Sequence, residues 1–272
     1  MYLEYLGLHE KPFSITADPS FLYLSKKHRE ALSHMIYGVK ERKGFVEITG
    51  EIGTGKTTLC KALLRHLDPG TKTALILQPD LSELQLLQAI VQDFGLNPMQ
   101  SNRLGFFNQL NRFLLEQAGM GCNIVLVIDE AQNLSLRILE QIRMLSNLET
   151  DKEKLIQIIL VGQPQLKTKL ASPALEQLRQ RIGVRYHITS LDLDEVRTYI
   201  AHRLRVAGSD GTLEWTPEGL QEVYQCSKGI PRLINLVCDR ALLACYVLRV
   251  RRVDQDLVRR SYQELAGEVL VA

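Results

Sequence analysis

The chain has 272 residues, 45% hydrophobic and 24% charged. That is enough to bury a core without disulfide or metal staples, and it excludes intrinsic disorder, a collagen-like fibre and a disulfide scaffold. Thirty-three basic against thirty-one acidic residues leave a net charge of +2, low for a protein held to nucleic acid by bulk charge.

The first 43 residues contain a Pro/Asp loop, Lys11 to Ser20, and an amphipathic helix from Lys27 to Glu41. Gly44 to Thr49 reads as a strand, Lys56 to Leu67 as a helix, and Asp68-Pro69-Gly70 as a turn. Thr73 to Leu77 is expected as a second strand. The apolar spacing of Leu84, Leu87, Ile90, Val91 and Phe94 predicts a helix over Ser82 to Phe94. Arg103 to Gln117 is another helix. Asn123 to Ile128, with four β-branched residues, has the character of a strand buried on both faces of a parallel sheet. A helix over Ser135 to Leu148, a strand over Leu155 to Val161, a helix over Pro173 to Ile182 and a strand over Val184 to Ile188 follow. This alternation predicts βαβ units and a parallel sheet. Past Ser190 the pattern is helical only: Asp192 to Val206, Pro217 to Cys226, Pro231 to Leu248 and Asp254 to Leu265. The division expected is residues 1–190, with the N-terminal 43 included, and residues 191–272.

The central apolar run, Ile124 to Ile128, has five residues, against the roughly 20 of a membrane-spanning helix. The N-terminus lacks the basic and long apolar regions of a signal peptide. The five cysteines, Cys60, Cys122, Cys226, Cys238 and Cys245, form no C-x-x-C pair. Reduced thiols in a cytoplasmic protein are the expectation.

Gly50-Glu51-Ile52-Gly53-Thr54-Gly55-Lys56-Thr57-Thr58 fits G-x-x-x-x-G-K-[ST], with a strand before it and a helix after it. Glycines let such a loop curl so that its N–H groups face phosphate oxygens, and the helix N-terminus adds its dipole. Lys56 would place a charge on the β- and γ-phosphates, and the Thr57 hydroxyl suits Mg²⁺. Ile124 to Ile128 runs into Asp129-Glu130. Asp129 would serve Mg²⁺ and Glu130 would orient the attacking water. Two acids at a buried strand end need a cation. Together the motifs predict ATP hydrolysis.

Gln163 ends the next strand and would report on the γ-phosphate if that strand lies between the first and third. Arg232 opens a helix in Gly229-Ile-Pro-Arg, where a cation is unfavourable to the helix dipole unless an anion faces it. Arg179, Arg181 and Arg185 cluster near the last strand. Arg179 and Arg181 are the candidates to enter a neighbouring subunit's site.

These residues resemble the AAA+ ATPases, and most nearly the ExeA/GspA group associated with type II secretion, with its relatives in pilus biogenesis and exosortase loci. The likeness includes Lys11-Pro-Phe-Ser, His28-Arg-Glu-Ala-Leu, Asp129-Glu-Ala-Gln-Asn-Leu-Ser, Arg143-Met-Leu-Ser-Asn-Leu-Glu-Thr, Val161-Gly-Gln-Pro-Gln-Leu and Leu178-Arg-Gln-Arg-Ile. It implies a P-loop NTPase fold: an α/β, five-stranded parallel sheet with a C-terminal helical lid. It also implies ATP and Mg²⁺ as cofactors, a nucleotide-dependent homo-oligomer such as a hexameric ring, and secretion or surface-assembly components as partners. The place implied is the cytoplasm or the cytoplasmic face of the inner membrane. ExeA-type proteins continue into a transmembrane helix and a peptidoglycan-binding domain, neither of which is in these residues, so a fragment of such a protein or a short standalone relative is expected.

The alternative is an ATPase that regulates DNA transposition, with Arg249, Arg251, Arg252, Arg259 and Arg260 on phosphates. Residues 191–272 hold 11 basic and 12 acidic residues, a net of −1, which favours a solvated face for those arginines. A nucleotide-regulated scaffold without hydrolysis would lack Lys56 or an acid, and both are present.

Overall fold

A strand buried in a parallel sheet reads as an unbroken apolar run, and the chain supplies two that pair side by side, Ile124 to Ile128 and Ile158 to Val161. The computed structural model describes residues 2–15, 18–97, 102–149, 154–265 and 267. Thr16 and Ala17 of the expected loop, and Thr150 at the end of the Arg143 segment, lie outside the described residues. In chain order the elements are α1 (Tyr2–Tyr5), α2 (Lys26–Lys40), β1 (Phe45–Gly50), α3 (Lys56–His66), β2 (Lys72–Ile76), α4 (Glu83–Asp93), α5 (Arg103–Gly119), β3 (Ile124–Ile128), α6 (Leu136–Leu145), β4 (Gln157–Gly162), α7 (Pro164–Leu170), α8 (Glu176–Arg181), β5 (Ile182–Ile188), α9 (Leu193–Val206), β6 (Glu214–Trp215), α10 (Pro217–Ser227), α11 (Pro231–Leu248), β7 (Arg252–Val253) and α12 (Gln255–Leu265). They fall into two compact units. One holds residues 26–51 and 59–188, and the other holds residues 1–25, 52–58 and 189–272.

The first unit is built on a five-stranded sheet in the order β2-β3-β4-β1-β5, with every pairing parallel. All five residues of β3 are fully buried. Burial of each such aliphatic side chain contributes about 1.5–3 kcal/mol. The helices start where short polar side chains accept main-chain N–H groups. Ser82 and Gln85 form a capping box on α4, Asn102 caps α5 and Ser135 caps α6. β4 lies between β1 and β3, as the reading of Gln163 required.

One acid interrupts the apolar pattern of β1. Glu47 is 4% exposed and stands in register with Arg185 of β5, whose Nε donates to Glu47 Oε2 at 3.1 Å. Burial raises the Glu47 carboxyl above its ordinary range, and the Arg185 guanidinium offsets only part of that rise.

Three local details depart from the sequence expectation. Pro164 at the first helical position opens α7, a helix that the elements expected from the sequence do not include. The helix expected from Pro173 to Ile182 is a 3-10 turn, Pro173–Leu175, followed by α8, and β5 begins at Ile182. Among the helices past Ser190, β6 and β7 pair in parallel over two residues each.

The second unit gathers α9 to α12 around a core that includes Val196, Ile200, Ile234, Val237, Leu242 and Val258. An Asp192–Glu195 capping box starts α9, and Thr216 with Pro217 starts α10. The N-terminal residues join this core: Leu6, Leu8, Phe13 and Phe21 pack within it. Grouping the first 43 residues with the sheet therefore fails for residues 1–25. The reason is a buried cation. Arg203, 6% exposed, donates to the carbonyl oxygens of Pro12 and Ser14 and stacks on the rings of Phe21 and Tyr199.

Two consequences are measurable. Charged hydrogen bonds to buried carbonyls contribute about 1.5–3 kcal/mol each, so Arg203→Ala should lower the unfolding free energy by about 3 kcal/mol. In urea titrations with limited proteolysis, residues 1–25 should become the first cleavage site. For Glu47 the folded state holds the proton more tightly than the unfolded chain. Its contribution to stability is therefore present at low pH and is lost as pH rises past the ordinary glutamate value of about 4.3. Glu47→Gln cannot ionise and keeps an acceptor for Arg185. It should be more stable than the parent at neutral pH, and the gap should close toward about pH 4, as read from urea midpoints across that range.

Candidate functional site

The phosphate-loop motif leaves the sheet at the end of β1. Gly53 and Gly55 have φ of +80° and +90°, the left-handed region where only glycine is free of strain. They curl the chain between Gly50 and the first turn of α3. Thr54 is fully buried and Lys56 is 5% exposed, while Thr57 and Thr58 are half-buried at the start of the helix. Gly53 also serves a close approach. The N–H of Arg232 donates to the Gly53 carbonyl at 3.2 Å, and a Cβ on Gly53 would lie 2.7 Å from Arg232 Cβ. Arg232, at the start of α11, is thus brought against the loop by main chain and by its own stem.

Because β1, β3 and β4 are parallel, their C-terminal ends share one edge of the sheet, where ligands of open α/β sheets bind. Asp129 follows β3 and is 1% exposed; its N–H donates to the Ile76 carbonyl at 2.8 Å. Its Oδ1 accepts the N–H of Glu130 at 2.8 Å. Glu130 has φ +51°, uncommon for a residue with a side chain. This bend turns the chain from the strand into the 3-10 turn Ala131–Asn133. Gln163 follows β4, and its Nε2 donates to Glu130 Oε2 at 3.2 Å. The structure thus joins Glu130 and Gln163 directly.

The three arginines differ. Arg185 is engaged with Glu47, and its Nη2 donates to the Arg179 carbonyl at 2.6 Å. Arg181 Nη1 donates to Ser146 Oγ at 2.9 Å and to Asn147 Oδ1. Arg179 is exposed on α8. One participant escapes the sequence reading. Gln132, two residues past Glu130, donates to Glu130 Oε2 and accepts from the N–H of Gln163. The only sequence signal for it is its place in Asp129-Glu-Ala-Gln.

The AAA domain family matches residues 39–170. General secretion pathway protein A of Aeromonas hydrophila is 44% identical over 268 residues, 98% of this chain and 49% of that protein. The chain is similar to the ExeA/GspA group of AAA+ proteins. This AAA+ chain spans about half the length of that relative. Among solved structures, ORC2 of Aeropyrum pernix in its ADPNP–ADP complexes is 20% identical with a TM-score of 0.70, over 94% of this chain and 71% of that one. Cdc6p of Pyrobaculum aerophilum is 19% identical with a TM-score of 0.70, over 96% and 71%. At such identities the likeness is one of fold, and it agrees with the parallel sheet and helical region expected of an α/β AAA+ protein. Nucleotide binding and hydrolysis are the general activity of this family. No helix among the described residues is long and apolar enough to cross a membrane.

Proposed function

We propose that this AAA+ chain binds ATP with Mg²⁺ and hydrolyses it as a nucleotide-dependent homo-oligomer, at the cytoplasmic face of the inner membrane, to drive or regulate assembly of a secretion or cell-surface export apparatus. The observation that carries the hydrolytic part is Glu130, bonded to Gln163 on the sheet edge from which the phosphate loop departs. The secretion part is supported by the likeness to General secretion pathway protein A.

The residues fit the proposed cofactor. The left-handed glycines give the Gly50–Thr58 loop the curl that a phosphate cradle requires. The Lys56 ammonium, largely shielded from water, interacts with phosphate more strongly than an exposed one would. Mg²⁺ supplies charge neutralisation on the phosphates and would be held by Thr57 and Asp129. Asp129 is a buried carboxylate at a strand end, a donor set that suits a hard divalent cation. Gly50, Gly53, Thr54, Gly55, Thr57 and Thr58 line the phosphates, Glu130 orients the water, and Gln163 and Arg232 read the γ-phosphate. Arg179 and Arg181 serve a neighbouring subunit.

The surroundings of the C-terminal arginines speak against DNA. Arg259 bonds both oxygens of Glu222, and Arg252 lies 3.9 Å from Glu214. Arg249 and Arg251 lie over the ring of Tyr5, and Arg249 also over that of Tyr246. Much of the basic run is thereby engaged within the chain.

Glu130→Gln should still bind ATP while turnover falls by about a hundredfold or more. Lys56→Ala should lose binding itself. Nucleotide affinity and phosphate release measured together check both, and normal turnover in Glu130→Gln would remove the assigned role. For the arginines, subunits carrying Glu130→Gln still bind ATP and supply intact Arg179 and Arg181. Mixing them with inactive Arg179→Ala or Arg181→Ala subunits should restore part of the turnover for whichever arginine acts in trans. Failure of both mixtures would place both arginines outside that role.

A further inference from the structure

Glu130 is held by two amides at a single oxygen. Gln132 Nε2 and Gln163 Nε2 both donate to Oε2. The other end of the Gln132 amide is also used: its Oε1 accepts the main-chain N–H of Gln163 at 3.0 Å. Gln132 therefore bridges the carboxylate on the β3 side to the start of α7 on the β4 side.

The surroundings are arranged for that bridge. Lys169 of α7 donates to the carbonyl oxygens of Gln132 and Leu134, which fixes the 3-10 turn that carries Gln132. Gly162, the last residue of β4, leaves the space: a Cβ there would lie 2.8 Å from Gln132 Oε1. Glu130 itself has a left-handed backbone, a conformation that persists where the surroundings over-determine it.

We propose that Gln132 is a positioning residue for Glu130. It fixes the plane of the carboxylate by donating to Oε2, which directs Oε1 toward the water, and it makes that plane depend on the position of Gln163. The role rests on the proposed function of Glu130. It also requires a side chain that donates and accepts at once. Glutamate in its ionised form would keep the acceptor for the Gln163 N–H, lose the donor, and set a second negative charge beside Glu130. If Gln163 turns its amide toward the γ-phosphate, Gln132 becomes the remaining donor on Oε2, so the acid stays oriented while the sensor moves.

The experiment compares Gln132→Glu and Gln132→Ala with the parent for kcat, for the KM of ATP and for ATP affinity. Misplacing a catalytic group by about 1 Å can lower a rate by about a hundredfold, so kcat should fall by about ten- to a hundredfold with affinity and KM within about threefold. Gln132→Glu is the decisive variant. It preserves shape, length and the bond to Gln163, so a merely structural role would leave its kcat near that of the parent. In a Glu130→Asp background, where the shorter carboxylate has already left the amide, Gln132→Glu should add little. Parent-like kcat in Gln132→Glu, alongside an inactive Glu130→Gln, overturns the role of Gln132 and leaves that of Glu130 standing. Full multiplicative loss in the Glu130→Asp background also overturns it. An active Glu130→Gln overturns both.

Discussion

Asp129 is 1% exposed at the end of a strand whose five residues water does not reach, and the rest of the sheet unit is arranged around that constraint. An ionised carboxylate in such a place costs several kcal/mol unless it is bonded or faces a cation. The chain meets part of the requirement locally, with the N–H of Glu130 on Oδ1. A central parallel strand flanked on both sides is the one position where an apolar run can be fully buried and still deliver its last residue to an edge. The order β2-β3-β4-β1-β5 puts the strand that leads into Gln163 between the strand of the acids and the strand of the loop.

What could be read from the sequence and what could not divides along the range of the interactions. The strands from Phe45, Ile124 and Gln157, the curl at Gly53 and Gly55, and the acids after Ile128 are each written in a few consecutive residues, and the structure places them where the pattern predicts. Gln132 is different. Its partners are Glu130, two residues away, and Gln163, which lies 31 residues on and is adjacent only because β3 and β4 pair. No periodicity reports such a bond. α7 is hidden for another reason, since Gln-Pro serves equally as a turn or as a helix start, and packing of Leu166 and Leu170 into the core decides between them.

The N-terminal residues show the same limit in another form. Arg203 recognises Pro12 and Ser14 through their carbonyl oxygens, which every residue possesses, so no side-chain pattern in residues 1–25 announces where they pack. Sequence order then suggests the sheet, although a buried guanidinium some 190 residues later takes them into the helical unit. The net charge of +2 is informative for a related reason. Several cations, Arg185, Arg203 and Arg259 among them, are matched by Glu47, by carbonyls or by Glu222, and so do not form a field at the surface.

The contact between Gly53 and Arg232 carries the coupling furthest. The bond uses the main chain of both residues, and the closeness of the Arg232 stem is possible only because position 53 has no Cβ. The curl of the loop and the start of α11 are therefore one arrangement. A change in the loop's curvature must shift the N-terminus of α11 or break the bond. Gly229 tightens this link from the other side. Its φ is +71°, its carbonyl accepts the Leu191 N–H at 2.9 Å, and an added Cβ would lie 1.9 Å from the Leu191 carbonyl oxygen. The segment entering α11 is thus fixed by main-chain contacts both to the loop and to the residue where the helical region begins. Arg232 is placed by those contacts whatever its guanidinium does, which leaves that group free to respond to charge. In this arrangement a shift of the loop backbone and a shift of the α11 N-terminus are linked through the bond between Gly53 and Arg232.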